Sequence, residues 1–104
     1  MQFRAITFLL LVVFAPVTFA VNASDYDKKR FSEACQSSSN IQAPTCDCMG
    51  DKAKKELSPN GFIFLTASLE KDDATTSALR QTMPPVELMQ AGMFMVSGAS
   101  ACAQ

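Results

Sequence analysis

The chain contains no histidine and no tryptophan, and it has a single tyrosine among 104 residues. Histidine is the usual general base of nucleophilic catalysis, so a serine or cysteine nucleophile here would have to rely on lysine or a carboxylate. The adjacent acids Asp72 and Asp73 precede a predicted helix, where acidic residues typically act as caps. We therefore expect a protein that is not an enzyme.

A strong charge of either sign is also missing. Nine Lys and Arg residues face ten Asp and Glu residues, which gives a net charge of −1. The basic residues gather only in two short runs, 28–30 and 52–55, and acidic residues border both of them. Proteins that bind phosphate backbones concentrate basic residues on one face. Nucleic acid is therefore not expected as a partner.

One long apolar run is present, at the N-terminus. Arg4 precedes the nearly continuous apolar stretch 6–15, and Pro16 interrupts it. The stretch is shorter than the roughly 20 apolar residues that a spanning helix needs. This order of a basic residue, an apolar run and small residues is typical of a signal peptide.

Cleavage is expected after Ala20, which would remove residues 1–20, or alternatively after Ala23. Residues 24–104 are expected to form a single small helical domain, located in the periplasm or secreted from the cell. After removal of residues 1–20, eight Lys and Arg remain against ten Asp and Glu, so the net charge becomes −2. A domain of this size buries only about 60% of its unfolded surface, so covalent cross-links are expected to support its core.

Apolar residues recur at helical spacing in several segments, and polar or proline-containing breaks separate them. Strand-like alternation is not found in any of them. The predicted fold is all-α, a small disulfide-stapled bundle of about four to five short helices. The predicted helices cover 25–37 after a cap at Ser24, 46–57 after Thr45, a third segment that begins at Pro59 after Ser58 or nearer Phe62 and runs to Leu69, 74–81 after Asp72 and Asp73, and a fifth from Pro85 to Val96 or Ser97.

Four cysteines in an exported chain of this size predict two disulfides. Cys46 and Cys48 point about 200° apart on one helix, so a bond between them is not expected. We expect Cys35 to pair with Cys46, and Cys48 to pair with Cys102 on a flexible tail after Gly98. The alternative pairing joins Cys35 to Cys48 and Cys46 to Cys102.

A copper site is the alternative use of these residues. Cys46 and Cys48, together with Met89 and Met93, supply the soft thiolate and thioether ligands that select Cu(I). Against this interpretation, two disulfides would consume the thiols, and packing in the core would account for both methionines. We therefore expect no cofactor, and a Cu(I)-handling protein remains the second hypothesis.

The predicted helix 5 is apolar on two opposite sides. One side carries Val86, Met89, Met93 and Val96, and we assign it to the core. The other side leaves two alternatives: helix 5 is the central element of the bundle, or this side is exposed and binds a partner. The residues of that candidate binding surface are Leu88, Gly92, Phe94 and Met95.

The sequence thus predicts an exported protein that acts by binding through its C-terminal, methionine-rich helix. Methionine-rich apolar surfaces adapt to different partners. The expected partners are an apolar small molecule held between helices, a protein partner, a membrane surface, or a second copy of the chain.

Overall fold

A computed structural model describes residues 22–103, and this range is all-helical, which confirms the predicted fold class. The signal peptide expected over 1–20 lies outside the described residues. None of the helices within 22–103 is long and apolar enough to span a membrane. After one turn of 3-10 helix at Ala23–Asp25, the helices are α1 (Lys28–Ser38), α2 (Ala43–Glu56), α3 (Pro59–Leu69), α4 (Asp73–Thr82) and α5 (Pro85–Cys102).

Polar side chains fix the start of three helices. The Ser58 side chain accepts a hydrogen bond from the backbone N–H of Gly61, and the Asp72 side chain accepts one from that of Thr75. Both caps agree with the sequence prediction. Ser24, however, does not cap α1: Asp27 accepts the N–H of Arg30, so α1 begins three residues later than expected.

The start of α2 also differs from the prediction. The helix begins at Ala43 instead of Cys46, after the N-cap residue Gln42, and Thr45 lies inside it. Pro44 precedes the predicted start at Cys46 but lies in the first turn of the observed helix. Proline has no N–H to contribute, but the first N–H groups of a helix have no partner within the helix in any case. Pro44 is therefore compatible with the first turn of α2.

Helix α3 is the central element of the bundle. It contacts α1, α4 and α5, and its residues 61–63 and 65–67 are buried. The ring of Phe62 lies 5.7 Å from that of Phe31 on α1, and both rings are almost completely buried. Of the two alternatives for helix 5, the one that places it at the centre of the bundle is therefore wrong. The run from Phe62 to Ala67 is apolar on more sides and occupies that place.

Helices α1 and α2 form a closely packed hairpin. Gly50 permits this approach, since a Cβ there would lie 3.2 Å from Cδ1 of Phe31. A disulfide joins Cys35 to Cys46 in the same interface, with 5.8 Å between their Cα atoms. At its polar edge, Nζ of Lys28 lies 2.9 Å from the carboxylate of Asp51.

A second disulfide joins Cys48 to Cys102 and completes the pairing that the sequence favoured. Its setting differs from the expectation, because α5 continues through Gly98 and ends at Cys102. No flexible tail carries this cysteine. Residues 99–101 are Ala, Ser and Ala, which a helix accommodates readily, and a single glycine does not end a helix. The bond therefore fastens the last turn of α5 to α2.

Candidate interaction surface

The Cys48–Cys102 disulfide sets which side of α5 faces the bundle. Cys102 shares its side of the helix with Ala91, Phe94 and Gly98, at spacings of three and four residues. All four are buried, and the ring of Phe94 is 3% exposed. This side of α5 packs against α2 and α3.

The residues predicted as a binding surface lie mostly on this inward side. Leu88 and Met95 are half-buried and pack against the core, and Phe94 belongs to the core itself. Gly92 is exposed, and a Cβ added there would meet nothing within 4 Å. The structure thus does not bring these four residues together as an open surface.

The exposed side of α5 is the one that we had assigned to the core, and that assignment is wrong. Val86, Met89, Met93 and Val96 are between 56% and 76% exposed. They are the large apolar side chains that the bundle, as described from 22 to 103, leaves open to solvent. We call these four residues the outward face. They follow one another at spacings of three, four and three, so they form one continuous stripe along the helix.

The outward face carries no charge. Glu87 is the single charged residue between Pro85 and Cys102, and no lysine or arginine occurs there. The residues that flank the stripe, Gln90, Gly92 and Ser97, are uncharged and exposed. A partner that covers the stripe would therefore desolvate no ion of α5, and Glu56 of α2 is a charged residue that lines the same cleft as Met93.

A shallow cleft adjoins the outward face where α5 meets the end of α2. It encloses about 240 Å³ and is lined by Leu57, Met93 and Phe94, with the polar Glu56, Gln90 and Ser97 around them. Pockets for small molecules typically enclose about 300–1,000 Å³ and surround most of the ligand. The cleft is smaller than that, and the stripe beside it lies on a convex helix surface.

Two further clefts are polar, and each is lined by one ion pair together with other charged residues. In the first, of about 450 Å³, Nη2 of Arg30 lies 3.0 Å from Glu70, whose carboxylate raises the pKa of Arg30. In the second, of about 390 Å³, Lys28 lowers the pKa of Asp51 by hydrogen bonding to it. Both pairs connect neighbouring elements of the bundle, so these paired charges have a structural role.

The residues of the copper hypothesis are not assembled as a site. Cys46 and Cys48 each form a disulfide, and all four cysteines of the chain are paired. In this oxidised form neither sulfur is a free thiolate, the species that binds Cu(I). Met89 and Met93 lie on the outward face, on the side of α5 opposite to the cysteine that ends it.

No family model, curated protein or solved structure matches this chain. The site is therefore defined by its geometry alone. The outward face was not among the predicted sites, although Cys102 carries a signal for it. In a helix that continues to this cysteine, its bond to Cys48 marks the side of Ala91 and Met95 as inward.

Proposed function

We propose that this protein is an exported, non-enzymatic binding protein, and that the outward face of α5 binds an apolar surface of a protein partner. The observation that supports it is the exposure of Val86, Met89, Met93 and Val96, each by more than half, on one side of one helix. A contiguous exposed apolar stripe is typical of an interaction site. Two disulfides suit a protein that works in an oxidising compartment, outside the cytoplasm.

A protein partner fits this surface better than a carried small molecule does. Phe31, Met49 and Phe62 are at most 2% exposed and fill the space between the helices, where a carried molecule was expected. The remaining apolar site is convex, and a groove or helix on another protein can cover such a stripe. A membrane surface is disfavoured, because helices that lie on anionic membranes present lysine and arginine beside their apolar face, and α5 has neither.

Site-specific photo-crosslinking in the organism that exports the protein tests this proposal. A photoreactive benzoyl-phenylalanine replaces Met93 on the outward face, and in the control chain it replaces the exposed Ser77 on α4. We expect a defined protein adduct from position 93 that is absent from position 77. The additional change Met89→Lys should abolish it. Mass spectrometry of the adduct identifies the partner.

The proposal fails if position 93 gives no adduct, or if both positions give the same adducts. It also fails if Met89→Lys leaves the adduct unchanged, since the apolar stripe would then have no part in binding.

A further inference from the structure

The outward face reads the same from both of its ends. Valines occupy the two outer positions, 86 and 96, and methionines occupy the two inner positions, 89 and 93. The spacings of three, four and three are symmetric about Ala91, which lies on the opposite, buried side of α5. When the stripe is turned end for end, valine therefore takes the place of valine and methionine that of methionine.

Such symmetry makes the stripe complementary to itself. Two-fold dimers use the same patch on both subunits. If one residue of the first copy contacts a second residue of the other copy, the reverse contact is formed as well. If two α5 helices pack in opposite directions, Val86 of one lies against Val96 of the other, and Met89 lies against Met93. Both pairs bring together side chains of the same type.

The spacing also matches the geometry of helix pairing. Apolar residues that alternate at three and four form the seam of a two-helix coiled coil, and the residues beside the seam decide which partner is accepted. Here those neighbours include Gln90, Gly92 and Ser97, which carry no charge. Open space around Gly92 allows a second backbone to approach closely on that side.

We propose that two copies of this chain associate through antiparallel packing of their α5 helices, with the outward face of each covering that of the other. This inference rests on the proposed function and names its partner as a second copy. The antiparallel direction places the two helix dipoles in opposition, whereas a parallel pair would align them.

The seam is short, which sets the expected strength of the dimer. Val86 and Val96 are ten positions apart, which corresponds to about 15 Å along the helix. Stable interfaces bury about 800 Å² from each partner, and a single seam of this length supplies only part of that area. We therefore expect an equilibrium between monomer and dimer that shifts with concentration, not a permanent dimer.

Sedimentation equilibrium of the protein purified from its exporting host tests this proposal. The native chain should pass from monomer to twice the monomer mass as its concentration rises. Met89→Lys/Met93→Lys should remain a monomer throughout, because its seam would bring four ammonium groups together. Ser77→Lys adds one positive charge away from α5 and should dimerise like the native chain. Circular dichroism checks that every variant is folded.

Two variants, each with one cysteine added on the outward face, test the direction. An antiparallel pair brings position 86 to position 96 of the other copy, whereas each position lies about 15 Å from its own counterpart. A disulfide needs Cα atoms within about 7 Å of each other. When tagged Val86→Cys is mixed with untagged Val96→Cys under oxidation, we expect the mixed adduct to predominate. Peptide mapping verifies that both native disulfides persist.

The proposal is overturned if the native chain stays monomeric, if the lysine variant dimerises like the native chain, or if each cysteine variant cross-links mainly to itself. A monomer that binds vesicles of anionic phospholipid would instead point to a membrane. If the chain stays monomeric while Met93 cross-links to a different protein, this inference fails and the proposed function stands.

Discussion

Gly98 lies directly against the ring of Phe94, one turn earlier in α5. A Cβ added at position 98 would come within 2.7 Å of Cζ and 2.8 Å of Cε1 of that ring. The ring is 3% exposed and packs in the core, so it has little room to give way. Glycine is therefore required at position 98 to let α5 seat its inward side on the bundle.

Replacement of this glycine should destabilise the protein although alanine favours helix. Gly98→Ala should lower the free energy of unfolding by about 1–2 kcal/mol, because overpacking outweighs the gain of about 1 kcal/mol in helix propensity. Gly92→Ala, on the same helix but in open space, should raise it by about 0.5–1 kcal/mol. Urea unfolding at low protein concentration measures the free energy of unfolding of both variants. If the two substitutions changed it equally, the packing described for α5 would be contradicted.

The two disulfides should protect different parts of the fold. The Cys48–Cys102 bond closes a loop of 54 residues and the Cys35–Cys46 bond one of 11. From loop entropy, the Cys48–Cys102 bond should stabilise the folded state by about 4 kcal/mol and the Cys35–Cys46 bond by about 3 kcal/mol. Because Cys102 ends α5, Cys48→Ala/Cys102→Ala should increase amide exchange over the last turns of that helix, while α1 keeps its protection.

The matched variant Cys35→Ala/Cys46→Ala should show the reverse pattern, with faster exchange at the end of α1 and in the first turn of α2. Hydrogen exchange followed by mass spectrometry resolves the segments. If removal of the long-range bond left exchange in α5 unchanged, the helix would not depend on this anchor.

Asp72 should make stability depend on pH in acid. The hydroxyl and the N–H of Thr75 donate to its carboxylate and hold the pKa of Asp72 below its ordinary value of 3.8. A carboxyl whose pKa is lowered in the folded state stabilises that state at higher pH. This contribution is lost as the pH falls through the folded pKa.

Asp72→Ala should therefore lower the free energy of unfolding by about 1 kcal/mol at pH 7, through loss of the cap. The difference in the free energy of unfolding between native chain and variant should narrow as the pH falls below about 4 and the native carboxylate is protonated. Asp73→Ala, one residue later and without a capping bond, should cost only a few tenths of a kcal/mol. Urea unfolding at pH 7 and at several lower pH values measures the free energy of unfolding of each chain. If the difference between the native chain and Asp72→Ala stayed constant, the carboxylate charge would have no role in stability.

Local signals in the sequence determine much of the fold. Ser58 before Pro59 and Asp72 before α4 mark helix starts that the structure retains, because a cap depends on residues only three positions apart. The opposite directions of Cys46 and Cys48 on one helix argued against a bond between them and favoured the observed pairing over its alternative. These inferences need no knowledge of how the helices pack.

The orientation of α5 could not be obtained in this way. Both sides of the helix are apolar, so hydrophobic periodicity gives no preference between Met93 and Met95. The choice is made by long-range packing, in which α3 takes the centre and the bond of Cys102 turns one side of α5 inward. The predicted helix ends by Ser97 and leaves Cys102 on a tail, so the bond of this cysteine does not mark the inward side in the sequence.

The central claim is that α5 has an inward side that maintains the fold and an outward face that binds. Met93→Lys and Met95→Lys place the same charge two residues apart on these two sides, and urea unfolding with sedimentation equilibrium compares them most directly. Met93→Lys should change the free energy of unfolding by less than about 0.5 kcal/mol and weaken the dimer. Met95→Lys should lower the free energy of unfolding by about 2 kcal/mol, because its ammonium group replaces a side chain packed on the core. If instead Met93→Lys unfolds the protein and Met95→Lys leaves it stable, the outward face is the core and the account is wrong.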